Sequence, residues 1–549
     1  MATTTKKSAS KPATKSAAKS TAKNASQAAA QAVAPAVEPI AESVAVAVDA
    51  GNKTAKTKSV SKAAQPVCEQ AVSGKGKKIL FVASEVLPYV KTGGLADVAG
   101  ALPGALCRAG YETRVILPLY QDIPNELRQT MQFIGNCYVA LAWRYQYCGI
   151  FRQEYQGVVY YFVDNEYYFK LQGLYGHYDD GERFAFFSKA VLESLKLLDF
   201  RPDILHCNDW HTAMVPTFLD TFYRGAEECR NLKTVFTIHN IEFQGKYGDG
   251  MIGDVLGLPA DKRSLVYMDG CVNYMKGGIE SSNCVTTVSP TYAREILTPF
   301  FGYGMQNILL RRQYKLRGIV NGIDTVANNP ETDGALFQNY TLQTFEKKAE
   351  NKVGLQRLLD LPVNANVPMI GMVGRLTHQK GLDLLEAVIE RVLSMNIQLV
   401  VLGTGDWKYE NMLRDMQARY PGKLRAVIGF SGDMASKIYG ASDMFLMPSK
   451  FEPCGLSQLL AMRYGSVPIV RETGGLKDTV IPYDHTTGKG CGFTFYSYNA
   501  DDMIYAIERA VGLYYDYRSD WMRVVANAMQ NDFGWDRIAQ QYIELYDNL

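Results

Sequence analysis

The sequence predicts an α/β chain of two Rossmann-like, doubly wound domains facing a central cleft, preceded by a disordered N-terminal extension. Three observations predict this. At 549 residues the chain exceeds one ordinary hydrophobic core. From Lys77 onward, short apolar runs alternate with helical patterns, the signature of parallel strand-helix-strand units. That alternation runs twice, interrupted by a polar stretch at 325–365 with the turn cluster N-N-P-E-T-D-G. The predicted divisions are 1–77 (extension), 78–325 (first domain) and 326–549 (second domain).

The extension rests on composition. Residues 1–78 hold thirteen Lys, no Arg, four acidic residues and no Phe, Trp or Tyr, giving net +9 against −7 for the remainder. Such a stretch buries too little apolar surface to offset its ordering entropy. It reads as a solvated tail, with weak polyanion contact as the sharper alternative. A transit peptide would favour Arg over Lys. No run approaches the length of a membrane helix, and no compact apolar run follows Met1. Ten Cys residues without a C-x-x-C pair exclude the common zinc spacings and fit a reducing, cytoplasmic setting.

In the first domain, K-K-I-L-F-V-A-S-E is a buried parallel strand, and L-A-D-V-A-G-A-L-P-G-A-L-C-R-A-G is helical. Pro103 implies a kink there, or two shorter helices. T-R-V-I-L-P, D-I-L-H-C-N-D, T-V-F-T-I-H-N and C-V-T-T-V-S-P continue the strands. The second series opens with P-M-I-G-M-V-G-R-L and a helix from Leu382 to about Met395. Strands follow in I-Q-L-V-V-L-G, A-V-I-G-F, D-M-F-L-M-P-S and V-P-I-V-R-E.

Ligands of doubly wound sheets bind beyond the carboxyl ends of the strands, so polar residues there are the candidates. In P-S-K-F-E-P-C-G-L-S-Q, Glu452 precedes a helix start near Leu456; Cys454, Gly455 and Ser457 lie in the same turn. Free N–H groups at such a start suit an anion, while Glu452 is either a sugar contact or the helix cap. In G-R-L-T-H-Q-K-G, Arg375 and Lys380 are either solvated or paired on one diphosphate. Asp209 is either a helix cap or a site residue, and His239 either structural or functional. His206 and His211 lack metal-site spacing. K-T-G-G-L-A-D-V carries Lys91, Gly93 and Gly94 at a strand-to-helix turn. T-G-G-L-K-D-T, with Thr473 and Gly474, echoes it in the second domain. Together these describe a cleft for a nucleotide diphosphate joined to a group rich in hydroxyls. A dinucleotide oxidoreductase would need G-x-G-x-x-G after a strand together with a ribose-binding acid, an arrangement that neither half has.

The motifs K-T-G-G-L-A-D-V, H-C-N-D-W-H, H-N-I-E-F-Q-G, T-T-V-S-P-T-Y-A-R-E-I, I-V-N-G-I-D, G-R-L-T-H-Q-K-G-L-D, P-S-K-F-E-P-C-G-L-S-Q-L and T-G-G-L-K-D-T-V run in order from about 78 to 480. In them the chain resembles the bacterial glycogen synthases and plant starch synthases that use ADP-glucose. The resemblance implies a B-type glycosyltransferase fold and retaining transfer of glucose to the non-reducing end of a (1→4)-α-glucan. It implies neither metal nor cofactor, with ADP-glucose as donor substrate. Lys91 matches the donor-binding lysine and His239 a contact to the glucose, with Asp209 on the acceptor side. Asn321 matches a further glucose contact, Arg375 and Lys380 the diphosphate pair, and Glu452 the acid beneath the sugar. Gly455, Leu456 and Ser457 match the phosphate-binding turn. Many relatives of this fold carry a second Glu eight residues after the first; here that position is Leu460, as in this family. A catalytically silent glucan-binding relative and a UDP-glucose enzyme are the alternatives. The expected setting is the bacterial cytoplasm rather than a plastid, with no membrane or nucleic-acid partner.

Overall fold

The computed structural model describes residues 76–549. The expected disordered extension lies outside the described residues but for its last two positions.

The first sheet has nine strands. They are β1 (Ile79–Val82), β2 (Thr113–Pro118), β3 (Gln132–Leu141), β4 (Arg144–Tyr155), β5 (Val158–Asp164), β6 (Ile204–Asn208) and β7 (Lys233–Ile238), then β11 (Cys284–Thr287) and β12 (Leu316–Gly318). Between β7 and β11, the short strands β8 (Lys246–Gly248), β9 (Tyr267–Met268) and β10 (Cys271–Asn273) form a separate three-stranded sheet. The large sheet has the order β12-β11-β7-β6-β1-β2-β5-β4-β3. All its pairings are parallel except those of β4 with β5 and with β3.

The second sheet holds β13 (Met369–Val373), β14 (Gln398–Gly403), β15 (Leu424–Ile428), β16 (Met444–Met447), β17 (Val467–Arg471) and β18 (Phe493–Phe495). It is wholly parallel, in the order β15-β14-β13-β16-β17-β18. Its strand order reverses between β13 and β16, and that of the first sheet between β1 and β6. At such a reversal, crossovers leave in opposite directions and open a crevice at the carboxyl ends. The strands are buried on both faces, which is why they read as continuous apolar runs rather than alternating ones.

Two expectations are corrected. The helix Gly94–Arg108 runs unbroken through Pro103, which is buried, so the alternative of two shorter helices falls. Proline removes one intrahelical bond, and the burial of Leu95, Val98, Leu102 and Leu106 on the same helix keeps it continuous. The helix Trp535–Asp547, assigned to the second domain by the 326–549 boundary, packs into the core of the first. Trp535, Ile538, Ala539, Tyr542 and Tyr546 are buried there. Tyr546 Oη bonds His206 Nδ1 at 2.7 Å, and Lys77 Nζ donates to the Tyr546 carbonyl at 2.7 Å. The chain therefore crosses between lobes twice. The crossings lie side by side, with Ile323 N donating to Phe533 O at 2.9 Å and Ile323 bridging Gly534. Among the described residues no helix is long and apolar enough to cross a membrane.

Candidate active site

At the second-lobe reversal, two loops leave neighbouring strands and meet. The loop after β13 carries Arg375, turns through His378–Lys380, and enters the helix Leu382–Ser394 at Gly381. Gly381 has φ +77°, and a Cβ there would overlap the Pro448 carbonyl of the loop after β16. Only glycine allows this approach. Lys450 N donates to Gln379 O at 2.8 Å and ties the loops together.

Lys380 Nζ consequently lies 2.6 Å from Glu452 Oε2, to which Ser449 Oγ also donates at 3.0 Å. Glu452 is 6% exposed. Its carboxylate is bound to Lys380 and Ser449, and the helix that follows starts five residues later, at Ser457. The cap alternative is thereby removed. Arg375 stays exposed, with Nη2 3.4 Å from Gln379 Oε1. Lys380 is locked while Arg375 is free to reach outward.

Cys454 Sγ accepts from Asn321 N at 3.4 Å, and burial pushes its thiol up to about 12. Gln458 Nε2 donates to the Cys454 and Gly455 carbonyls at 3.1 and 2.9 Å, so the turn is held from within. Asn321 Oδ1 is buried without a hydrogen-bond partner, an acceptor left over for a ligand hydroxyl. Ser457 sits at the start of a seven-residue helix, with its hydroxyl beside Tyr439.

In the first lobe, Glu85 follows β1 and is 4% exposed. Its Oε2 accepts from Thr92 N, from Thr92 Oγ1 at 2.7 Å and from Gly93 N at 3.2 Å. Burial raises its pKa against these three bonds. The Glu85 carboxylate thus folds the K-T-G-G turn. Lys91 itself is exposed and paired with Asp97 at 2.7 Å. Gly94 faces the other lobe, where a Cβ on it would stand 3.7 Å from Leu456 Cδ1.

Asp209 follows β6 with φ 55° and ψ 178°, a conformation almost confined to glycine. Its N–H donates to Thr237 O at 2.9 Å, and its carboxylate accepts from His239 N at 2.7 Å and from the Asn240 amide. It makes no side-chain cap bond, so the strained backbone serves to aim the carboxylate at the loop after β7. Burial raises its pKa to about 7.

His239 Nε2 is 3.0 Å from Asn208 Oδ1. The Asn208 amide nitrogen donates to Val82 O and His206 O at 3.0 and 3.2 Å, which makes Oδ1 the acceptor and His239 Nε2 the donor. Nδ1 then carries the lone pair. Burial lowers the His239 pKa to about 3, so the ring is neutral. His206 and His211 are buried in the first lobe, His206 against Tyr546 and Thr237 and His211 stacked on Tyr175. Among the described residues no group of His, Cys, Asp or Glu is placed to hold a metal ion.

Of the sequence-predicted residues, the structure gathers Arg375, Lys380, Glu452, Cys454, Gly455, Leu456 and Asn321 at one end of the second sheet. Lys91, Gly93, Gly94, Asp209 and His239 lie at the facing end of the first. Thr473 and Gly474 have another partner. Thr473 Oγ1 and Gly474 N donate to Glu295 of the first lobe at 3.0 and 3.1 Å. Glu85 and Glu295 escaped the sequence reading. Glu85 lies three residues past the first strand, the same kind of strand-end position that carries Asp209 and His239. Glu295 sits in T-T-V-S-P-T-Y-A-R-E-I without a local signal of its partner.

Residues 78–311 match the family of starch synthase catalytic domains, and residues 360–522 match glycosyl transferases group 1. The chain is 52% identical to the glycogen synthase of Clostridium novyi over 475 residues, covering 86% of this chain and 99% of that one. Against the glycogen synthase of Anoxybacillus flavithermus it is 49% identical over 474 residues, 86% and 98% of the two chains. Among solved structures it resembles the catalytic domain of starch synthase IV from Arabidopsis thaliana bound to ADP and acarbose. The TM-score there is 0.80 at 35% identity, covering 86% of this chain and 99% of that one. Sucrose-phosphate synthase from Thermosynechococcus elongatus shares the fold, with a TM-score of 0.55 at 18% identity and coverage of 86% and 98%. Two facing doubly wound lobes, paired polar loops at both strand-order reversals and this degree of identity place the chain in the glycogen synthase family of glycosyltransferases.

Proposed function

We propose that this glycosyltransferase moves glucose from ADP-glucose to the non-reducing end of a (1→4)-α-glucan, with retention of configuration and without a metal ion or cofactor, in the cytoplasm. The Lys380–Glu452 pair at the second-lobe reversal carries the reading. Breaking the bond between glucose and phosphate puts negative charge on ADP and positive character on the sugar. Lys380 has three N–H donors; Glu452 takes one, and two remain for phosphate oxygens. Exposed Arg375 and the backbone N–H groups at Gly455–Ser457 add to this stabilisation of the leaving group. Glu452 supplies the carboxylate beside the sugar. Asn321 Oδ1 and His239 Nδ1, both acceptors without a partner of their own, receive glucose hydroxyls. Lys91 contacts the donor from the first lobe, while Asp209 lies on the acceptor side. The starch synthase IV catalytic domain is bound to ADP, which supports adenine over uracil in the donor.

The test feeds labelled ADP-glucose and UDP-glucose in parallel to the purified protein with glycogen as primer. Label enters polymer from ADP-glucose. Label from UDP-glucose alone overturns the donor, and label from neither overturns the reaction.

A further inference from the structure

The short helix Pro290–Glu295 of the first lobe meets the helix Gly474–Thr479 of the second through two carboxylates that cross in opposite directions. Asp478 reaches into the first lobe and accepts from Thr291 N at 2.8 Å and Thr291 Oγ1 at 2.6 Å. Glu295 reaches into the second lobe. It accepts from Thr473 Oγ1 at 3.0 Å, and Gly474 N lies 3.1 Å from each of its oxygens.

The two crossings touch different things. The Asp478 carboxylate bonds Thr291 and no group of the loop that carries Glu452. The turn that Glu295 grips is the floor under Glu452. Gly475 N donates to the carbonyls of Glu452 and Pro453, both at 3.1 Å. A Cβ on Gly474, which has φ +45°, would overlap the Glu452 carbonyl, and one on Gly475 the Cys454 carbonyl. The Glu452–Cys454 backbone therefore lies directly on residues 473–475, and a shift of that turn moves it. Arg471 braces the same assembly, donating from Nη1 to the Lys450 carbonyl at 2.6 Å.

We propose that Glu295 is a positioning residue for glucosyl transfer: from the first lobe it holds the Thr473–Gly475 turn that sets the place of Glu452 in the second. The catalytic carboxylate is then in register only while the two lobes are docked. This rests on the reading of Glu452 as the group beside the sugar. It requires no contact between Glu295 and substrate, and it gives the second T-G-G turn a mechanical role in place of donor binding.

The experiment compares Glu295→Ala, Glu295→Gln and Asp478→Ala for thermal midpoint, kcat and donor KM in glucosyl transfer. Displacing a reacting group without removing it costs between about tenfold and a hundredfold in rate. Glu295→Ala loses that much in kcat, with donor KM within about threefold of wild type. Glu295→Gln recovers part of the loss, because its amide oxygen still accepts from Gly474 N. Asp478→Ala, which removes the other half of the same lobe contact and leaves the Glu295 bonds to Thr473 and Gly474 in place, keeps kcat within about twofold. Wild-type kcat in Glu295→Ala overturns the proposal, as does an equal kcat loss in Asp478→Ala, which would mark a role in lobe docking alone. Should Glu295→Ala fail to fold, Glu295→Gln and Thr473→Val carry the comparison by the same criteria. Glu452→Gln is measured alongside. Full turnover in that variant removes Glu452 from the chemistry and the proposal with it, whereas an inactive Glu452→Gln beside a normal Glu295→Ala sinks only the positioning role.

Discussion

Lys380 and Glu452 form an ion pair of 2.6 Å although they are 72 residues apart, because their loops leave the two strands between which the second sheet reverses its order. Arg375 shares the Lys380 loop but is exposed and nearly unpartnered. On the proposed mechanism, substituting either cation removes a donor to the leaving group, at a cost of about 10²–10³ in kcat. The two losses separate in a thermal melt. Lys380→Gln leaves the buried Glu452 carboxylate held only by Ser449 and lowers the midpoint, whereas Arg375→Gln melts with wild type.

Asp209 titrates near pH 7 because burial disfavours its charged form. Its carboxylate accepts two backbone N–H bonds, so the ionised form is the one that orders the loop. Activity accordingly rises with pH through about 7, and Asp209→Asn removes that limb from the pH profile of kcat/KM. Stability runs the other way. A raised carboxyl pKa contributes stability that is complete below the ordinary carboxylate range and is lost as pH rises through about 7. The melting temperature of wild type, relative to Asp209→Asn, falls over that interval.

His239 is neutral throughout the working range, with its pKa lowered to about 3 by burial. The stability it contributes is complete above the ordinary histidine value of about 6.5 and is lost progressively as pH falls from there to about 3. NMR of the imidazole shows no titration between about pH 5 and 8. A midpoint in that window would overturn the assignment of a neutral ring.

Glu85 gathers two backbone N–H groups and one hydroxyl of the Lys91–Gly94 turn. Glu85→Ala leaves these part-buried donors without their acceptor, at a cost of about 0.5–1.5 kcal/mol. Chemical denaturation measures the loss, and donor KM rises as the Lys91 turn loosens. Glu85→Gln, which keeps one acceptor oxygen, loses less of both.

Much of the architecture was legible because parallel strands buried on both faces are written as unbroken apolar runs. Strand ends with polar residues then pointed to Asp209, His239, Arg375, Lys380 and Glu452. What stayed hidden depends on partners distant in the chain. The antiparallel strands β3 and β4 mix buried and exposed positions and lack the continuous apolar run. Glu295 is 178 residues from Thr473, and nothing local marks the pairing. The two T-G-G turns look alike in sequence, yet the first is gripped by Glu85 of its own lobe and the second by Glu295 of the opposite one. The return of Trp535–Asp547 was invisible for the same reason: its apolar stripe shows that the helix is buried, not which lobe buries it.

That return makes the described chain nested rather than tandem. Residues from about 323 to 533 form an insertion within the first lobe, entering and leaving through the paired segments at Ile323 and Phe533–Gly534. Two tethers paired at one point place the covalent connection between the lobes at a single pivot. Because Lys77 touches the last helix at Tyr546, the two ends of the described chain are neighbours. A circular permutant that joins them, with new termini in an exposed second-lobe loop, would preserve every strand pairing and keep the pivot intact.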